Sequence, residues 1–522
     1  MATIIVGGGI IGLSSAFYLS QAPDASRPKR IIVVDTSRRL FSCASGRAAG
    51  FMSRSWFSRP SASLGELSFV LHAELAEIYG GDEKWGYRPS QAFSVAPRQE
   101  PEALTAIEYD ALKRERLQKQ WEARMELLES RAALKGTGGH TRHQWYQEEL
   151  DEEQKIFASE PDPPDWLFCD TDNTFQISDE GECAQINPYE LCEFLLEVCI
   201  RRGVEVLHPY QLCSVRVDKD SGKLSDAVLR DLDSKREITI SEVEHVVVAA
   251  GAWSPHAFST AFPDAQFVPA ISSLAGYSMV VTSPLSQYVG KEGSLGVFGS
   301  DTQGSSSAMS EEGDRSDVTF DDASSIASGS TCSGIHPDGR PNTIDLSPIR
   351  NALFVRSSIY SRWSPEIFSR SNGEIYIAGL NEQGYNVGQT TTRRGSMAPP
   401  SLQEYREQEA ESGTDSESDA EGKKPVQGSE KYKTLEDVAK SLLGPEIKIM
   451  RKSVCLRPVT PRGEPIIGKV PPEQVGGAKG VYICSGHGPW GISLCLGSGR
   501  VITEMITEGQ ARSADVSMLA PI

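Results

Sequence analysis

The first 35 residues constrain the fold more than any other stretch. Thr3-Ile4-Ile5-Val6 is apolar and β-branched, the composition of a short buried strand. It runs into Gly7-Gly8-Gly9-Ile10-Ile11-Gly12, which contains a G-x-G-x-x-G. A helix-compatible run follows over residues 13–20, with small Ser14, Ser15 and Ala16 at its start. Arg30-Ile31-Ile32-Val33-Val34-Asp35 is then a second strand ending in an acid, 23 residues after Gly12. Strand, glycine turn, helix, strand and a final acid make the βαβ unit that binds a dinucleotide. In such a unit Gly7 permits the tight turn, Gly9 lets backbone approach a pyrophosphate and Gly12 lets helix and strand pack closely. The helix end offers free N–H groups and a positive dipole to phosphate. Asp35 would accept from an adenosine ribose and repel a 2′-phosphate. The alternative for the glycines alone is an ordinary turn, and the stretch does not distinguish FAD from NAD.

At 522 residues the chain exceeds one ordinary core, so more than one domain is expected. A net charge of −19 opposes binding to nucleic acid or to anionic membrane surfaces. No apolar run reaches the eighteen or so residues that a spanning helix needs. With the first strand beginning at Thr3, no leader peptide is expected. A cytoplasmic location follows as the expectation, and the ten cysteines are expected to be free thiols. None of them forms a C-x-x-C pair and histidine is sparse, so no metal site is expected.

Ser42-Cys43-Ala44-Ser45-Gly46-Arg47-Ala48-Ala49-Gly50 is dense in small residues, a loop suited to close backbone approach to a ligand. Arg47 could meet phosphate or substrate there, or be a solvated arginine on a surface turn. Leu64, Leu67, Val70, Leu71 and Leu75 recur at helical intervals and predict a helix over 63–79. From 101 to 150, sparse apolar residues such as Leu104, Leu117 and Trp121 lie among mixed charges. The pattern predicts a helical insertion, either a surface element or a partner-binding helix. After Asn187-Pro188, the apolar face Leu191, Phe194, Leu195 and Val198 predicts a second amphipathic helix, stopped at Gly203. Strands are predicted at 204–206 and 212–217. Val246-Val247-Val248-Ala249-Ala250-Gly251-Ala252-Trp253 reads as a buried strand opening into small residues, a second place for backbone to meet a nucleotide. Residues 272–282 alternate as a strand, and 365–368 with 373–379 read as a paired hairpin.

Two segments, 299–342 and 399–432, are too rich in Ser, Gly and acids to bury an apolar core and are expected to be disordered. Within the first, 311–322 carries six acids against one arginine; the second carries nine acids against four bases.

Residues 453–500 bear on which dinucleotide is meant. Cys455-Leu456-Arg457-Pro458-Val459-Thr460-Pro461-Arg462-Gly463-Glu464-Pro465 precedes Gly480-Val481-Tyr482-Ile483-Cys484-Ser485-Gly486-His487-Gly488-Pro489-Trp490-Gly491 and a helix over 492–506. Here the chain resembles the FAD-dependent amino-acid and amine oxidases, the group of D-amino-acid oxidase, glycine oxidase and sarcosine oxidase, and especially its large fungal-type members. The resemblance extends to residues 7–35, Ser45-Gly46-Arg47, Asn187-Pro188 and Ala249-Ala250-Gly251, roughly two thirds of the chain.

The resemblance implies FAD as cofactor, held by Gly7, Gly9, Ile10, Ile11, Gly12, Asp35, Ser45, Gly46, Arg47, Val215, Ala250, Gly251, Gly486, His487, Gly488 and Gly491. It implies that Arg457 pairs bidentately with a substrate carboxylate, aiming the Cα–H at the flavin. An internal salt bridge or a flavin contact are the alternatives for Arg457. Cys455 falls where sarcosine-oxidase-like members attach flavin covalently, although plain packing also suits a cysteine. His487 could instead only cap the following helix through its backbone. Arg462 stands where the family often carries Asp, and Leu494-Cys495-Leu496-Gly497 where it often has a proline-containing turn. No tyrosine clearly matches the family's carboxylate-binding one; Tyr277 and Tyr360 are candidates.

The expected fold is therefore α/β, a Rossmann-type FAD domain (1–50, 181–259 and 451–515) with an antiparallel-sheet substrate domain (51–180 and 260–450). The helical insertion and both acidic loops fall in the second. The expected function is oxidation of a C–N bond of a small amine or amino acid by hydride transfer to flavin N5, with oxygen as acceptor. The alternative is an FAD-binding protein with a regulatory or trafficking role at endosomal membranes, meeting a protein partner through 101–150 or the acidic loops. An NAD-dependent dehydrogenase would leave the constellation from Arg457 to Gly491 unexplained.

Overall fold

The structure, a computed structural model, describes residues 1–97, 171–179, 181–283, 350–355, 364–370, 373–383 and 429–521. The expected helical insertion at 101–150, the acidic segment 299–342, residues 399–428 of the second acidic segment and Tyr360 lie outside these residues.

The apolar runs of the sequence meet in one six-stranded sheet. Its order is Ile466–Lys469, Val481–Ser485, Val243–Val248, Ala2–Val6, Arg30–Val34 and Glu205–Leu207. Neighbours are parallel except at one edge, where Ile466–Lys469 runs antiparallel to Val481–Ser485. Continuous Ile and Val suit strands that are covered on both faces. Ile5, Val33, Val247 and Cys484 face a helical layer, Ile10–Gln21, Pro188–Arg201 and Gly491–Thr507, with Arg59–Tyr79 behind. Ile4, Ile32, Val246 and Ile483 face the other way, against a three-stranded antiparallel sheet of Tyr210–Val217, Leu224–Asp231 and Glu237–Ser241. The helix Pro188–Arg201 begins as its sequence directs: the Asn187 side chain accepts from the Tyr189 N–H at 3.2 Å, and proline occupies the first turn.

A larger sheet runs Lys448–Val459, Ser272–Thr282, Ile375–Gln383, Glu366–Ser369, Arg350–Val355, Arg88–Pro97, Cys183–Gln185 and Phe51–Ser53, with Thr171–Gln176 also paired to Arg88–Pro97. It is antiparallel except between Arg350–Val355 and Arg88–Pro97. One face carries Tyr277, Met279, Val281, Ile367 and Ile377 against the helix Ser429–Leu443. Residues 429–432, placed by composition in the acidic loop, are thus the first turn of that helix. Leu435, Val438, Ala439, Leu442 and Leu443 recur at helical spacing and are buried, which outweighs the acidic context. The opposite face carries Phe368, Tyr376 and Ala378 with Phe51 and Trp56. The eight described cysteines are all unpaired.

Candidate active site

The carboxyl ends of the parallel strands bring most of the expected nucleotide residues together. Gly7 has φ +114°, and a Cβ there would stand 2.4 Å from the Ala249 carbonyl oxygen at the end of the neighbouring strand. A Cβ on Gly12 would stand 1.9 Å from the Gly7 oxygen, so the helix reaches the strand only because both are glycine. Gly9 precedes the helix and has no side chain of its own to cap it. The first helical N–H, of Ile10, donates to Ser45 Oγ at 2.9 Å. This seats residues 44–47, a single helical turn rather than the expected loop, beside the glycine turn, with Gly46 buried in it. Asp35 accepts from the Gly8 N–H through Oδ2 and from the Ser37 N–H through Oδ1, each at 2.7 Å. One carboxylate thus fixes the glycine turn to the end of the second strand.

Ala250 and Gly251 follow the strand Val243–Val248, and Ser485 ties the next strand to them by donating to the Gly251 carbonyl at 3.1 Å. Gly486 and Gly488 both have positive φ, +84° and +58°, and Gly491 opens the helix Gly491–Thr507. Between them His487 is 3% exposed and its Nε2 shares a hydrogen bond with Ser498 Oγ at 2.9 Å. Burial drives its pKa down to about 3, so the ring is neutral. It is a packed element of the turn, and its carbonyl accepts from the Trp490 N–H at 3.1 Å. Ile10 is buried and Ile11 half-buried at the helix start. Val215 belongs to the three-stranded sheet, and its side chain packs in the apolar layer that also holds Val6, Val34 and Val248, the last residues of three parallel strands. The close-packed glycines, the helix end at Gly9 and the small residues at three strand ends fit a dinucleotide such as FAD.

The larger sheet is pinned to this cleft by one of its faces. Tyr376 donates through its hydroxyl to the Arg47 carbonyl at 3.1 Å, and Arg370 Nη2 donates to the Ala48 carbonyl at 3.1 Å. The Arg370 guanidinium also lies over the Tyr376 ring, 5.0 Å from its centroid. Arg457 is on this same face. Its Nη1 donates to Asn381 Oδ1 at 2.9 Å, and its guanidinium lies across Gly276, where a Cβ would come within 2.9 Å of Cζ. Among the described residues no carboxylate is within ion-pair distance of it. Cys455 pairs with Gly276 across the strands and is 3% exposed beside Arg457. On the far side of that strand the Leu456 N–H donates to Cys43 Sγ at 3.5 Å, and burial pushes the Cys43 thiol up to about 11. Both thiols are packed into the junction between cleft and sheet.

Tyr277 is not with Arg457. The period of two turns it to the opposite face, where its hydroxyl donates to Glu382 Oε2 at 3.2 Å and its ring meets Tyr432 at 5.7 Å. Asn381, Tyr376, Glu366 and Gly276 surround Arg457, and sequence reading picked out none of them. Their grouping depends on strand register over more than a hundred residues, which carries no local spacing signal.

Residues 2–315 and 361–505 match the family described as FAD-dependent oxidoreductase, most of the chain. A Schizosaccharomyces pombe protein, whose name calls it an oxidoreductase provisionally, is 21% identical, with 99% of this chain and 97% of that one covered. Among solved structures, glycine oxidase from Geobacillus kaustophilus shares the fold with a TM-score of 0.54 at 17% identity, covering 100% of this chain and 98% of that one. L-proline dehydrogenase from P. horikoshii does so with a TM-score of 0.51 at 14% identity, covering 100% and 96%. On the family match and the cleft together, this chain belongs to the FAD-dependent oxidoreductase family and takes FAD as its cofactor.

Proposed function

We propose that this FAD-dependent oxidoreductase oxidises the C–N bond of a small amino acid or amine that bears a carboxylate. The observation that carries the reading is Arg457: a guanidinium on the sheet face that meets the cleft, held by an amide oxygen and, among the described residues, by no carboxylate. A half-buried guanidinium without a carboxylate partner is matched by a carboxylate ligand, and a bidentate pair fixes the ligand's orientation as well as binding it. In support, proteins sharing the fold are named for glycine, L-proline and iminodiacetate, all carboxylate-bearing amines.

Bound FAD supplies the acceptor for the hydride that leaves carbon, and we propose oxygen as the final acceptor. The residues of this chain do the positioning. Gly7, Gly9, Gly12, Asp35, Ser45, Gly46, Ala250, Gly251, Gly486 and Gly488 would hold the cofactor by backbone approach. Arg457, braced by Asn381 and lying on Gly276, would hold the substrate carboxylate. Tyr376 and Arg370 keep the sheet docked on the turn Ala44–Arg47 and thereby set the spacing between the two sites. Cys455 is buried beside Arg457, which is its polar neighbour, and we assign it packing at the base of the guanidinium.

The test is anaerobic titration of the purified yellow protein with a panel of amino acids and secondary amines, followed at the flavin absorbance. Bleaching by carboxylate-bearing amines, with peroxide formed on readmitting oxygen, is expected. A flavin that stays oxidised throughout the panel would sink the reading.

A further inference from the structure

Glu366 opens the strand Glu366–Ser369, across from Phe354 on one side and Ala378 on the other. Strand alternation puts its side chain on the face of Phe368, Tyr376 and Ala378, the face that carries Arg457. Among the described residues its carboxylate has neither a hydrogen bond nor an ion pair. Burial raises its pKa and Arg457, lying beyond ion-pair distance, opposes that rise. Arg370, the other buried cation of this face, is occupied by the Ala48 carbonyl and by Glu374 at 3.7 Å. A carboxylate taken from water and left without a partner is destabilising unless something else meets it.

Beside it stand four aromatic rings. Phe51 lies 5.3 Å from Trp56, 5.8 Å from Phe354 and 5.5 Å from Phe368, and Trp56 lies 5.5 Å from Phe354, centroid to centroid. Trp56 also lines a cavity of about 370 Å³ with Ser55, Gln176, Ser178, Asp179 and Glu182. The titratable groups lining that cavity are both acids. The rings, a carboxylate with no described partner and an acidic cavity that shares Trp56 with the rings have one ligand preference, a cation on an apolar stem.

We infer that Glu366 and the Phe51–Trp56–Phe354–Phe368 cluster form a cation subsite, so that the substrate is an amino acid carrying a second, positively charged group on an alkyl arm. The inference rests on the reading that Arg457 takes the α-carboxylate. Were Glu366 only the counter-ion of Arg457, the two would be joined; instead they interact beyond ion-pair distance, Arg457 bonds an amide, and among the described residues no opposite charge pairs with Glu366. A neutral arm would leave the Glu366 carboxylate unmatched and an acidic arm would be repelled, so the subsite discriminates by loss as well as by gain.

The experiment uses the full-length FAD-loaded protein and follows the flavin absorbance on titration with lysine, norleucine and 2-aminoadipate, each as both enantiomers, and with benzoate. Lysine is expected to perturb the flavin at about tenfold lower concentration than norleucine, with 2-aminoadipate weakest. Glu366→Gln should bring lysine and norleucine level while benzoate, which meets Arg457 and has no cationic arm, is bound no more weakly than before. Glu366→Asp should keep the preference for lysine, and Glu366→Lys should turn it toward 2-aminoadipate. Norleucine binding as tightly as lysine to the unaltered protein, or a lysine preference that survives Glu366→Gln, overturns the subsite. If norleucine alone bleaches the flavin, the oxidase reading stands and this inference falls. If no amino acid perturbs or bleaches it, both fall. Lysine that binds in a Glu366-dependent way without bleaching supports the subsite and removes the oxidase reading.

Discussion

The nucleotide cleft and the substrate face are built by opposite means. The cleft is backbone: glycines packed against carbonyls, one helix end, and an acid whose two oxygens are spent on main-chain N–H groups. The sheet face proposed to meet substrate is side chains, with Arg457, Asn381, Tyr376 and Glu366 projecting from three different strands. Backbone geometry repeats wherever the same cofactor is held, so its spacing is compact and general. Side chains on a shared sheet can be exchanged one at a time without disturbing the strands that carry them. This arrangement separates what the protein binds permanently from what it selects.

The strongest way to break the contrast is at Gly12. A Cβ there would fall 1.9 Å from the Gly7 oxygen, backbone that cannot step aside without opening the turn. Gly12→Val is expected to purify colourless, with flavin affinity lowered by at least a hundredfold, on the order of the cost of overpacking a rigid site. The ratio of flavin to protein absorbance reads it directly. Retention of a full complement of flavin would mean that the cleft is not where FAD lies.

The complementary change leaves the colour and removes the selection. Arg457→Ala should keep bound flavin with an unshifted visible spectrum and raise KM for a carboxylate-bearing substrate about a hundredfold, as loss of a charged bidentate pair implies. Arg457→Lys should recover only part of that, because an ammonium supplies charge without the fork. Steady-state kinetics beside flavin content separate the two sites. An Arg457→Ala protein that loses its flavin would merge them.

The same contrast explains what could be read before the structure. The βαβ unit, the Asn187-capped helix, the strand Val243–Val248 and the helix Gly491–Thr507 all follow from local patterns: buried Val runs, a cap, glycines at turns. The small sheet formed with Leu224–Asp231 and Glu237–Ser241 was not evident, because polar residues outnumber apolar ones on its solvent side and mask the alternation. The helix Ser429–Leu443 was hidden in the same way by its Lys and Glu residues. Arg457 came from a resemblance, and its purpose was not written in its immediate neighbours. Glu366, Asn381 and Gly276 had no local signal at all, since only the registers of Ser272–Thr282 against its two neighbours and of Glu366–Ser369 against Ile375–Gln383 assemble them. Tyr277 was misplaced for that reason: residue type suggested a ligand contact, and the strand's alternation put it behind the sheet.

A finer test acts on how Arg457 is held. Gly276 gives the guanidinium room to lie against the strand, and the added methyl of Gly276→Ala would stand 2.9 Å from Cζ. The side chain is flexible, so the fork should tilt rather than the sheet deform. A rise in KM of about tenfold is expected, with flavin content and thermal stability near those of the unaltered protein. Asn381→Ala should act in the same direction and more weakly, and the double variant should cost less than the product of the two, because both act through one guanidinium. Independent effects would show that Gly276 and Asn381 have separate tasks.

The mildest effect is set by pH and divides the two regions again. His487 in the glycine turn and His72, whose Nε2 meets the Ile492 carbonyl at 3.0 Å, are both buried neutral, with burial lowering their pKa to about 3 and about 4. Their ordinary value lies near 6.5, so the unfolded chain takes up protons below it while the folded chain does not. The stability that they contribute as neutral groups is whole above that value and is lost as pH falls toward their folded values. At pH 5.5 the loss amounts to roughly 1.4 kcal/mol for each histidine relative to pH 7.5. A fall of several degrees in the temperature of flavin release is expected over that interval, and His72→Gln should flatten it by about half. Glu366 also loses charge on acidification, since its pKa is raised; this weakens a cationic ligand and, because the folded state takes up that proton first, offsets part of the histidines' loss. Lysine binding should therefore weaken on acidification in the His72→Gln protein as much as in the unaltered one, while the stability curve changes. If both curves changed together, the histidines would be coupled to the substrate face, and the division between a fixed cofactor cleft and an adjustable substrate sheet would fail at that point.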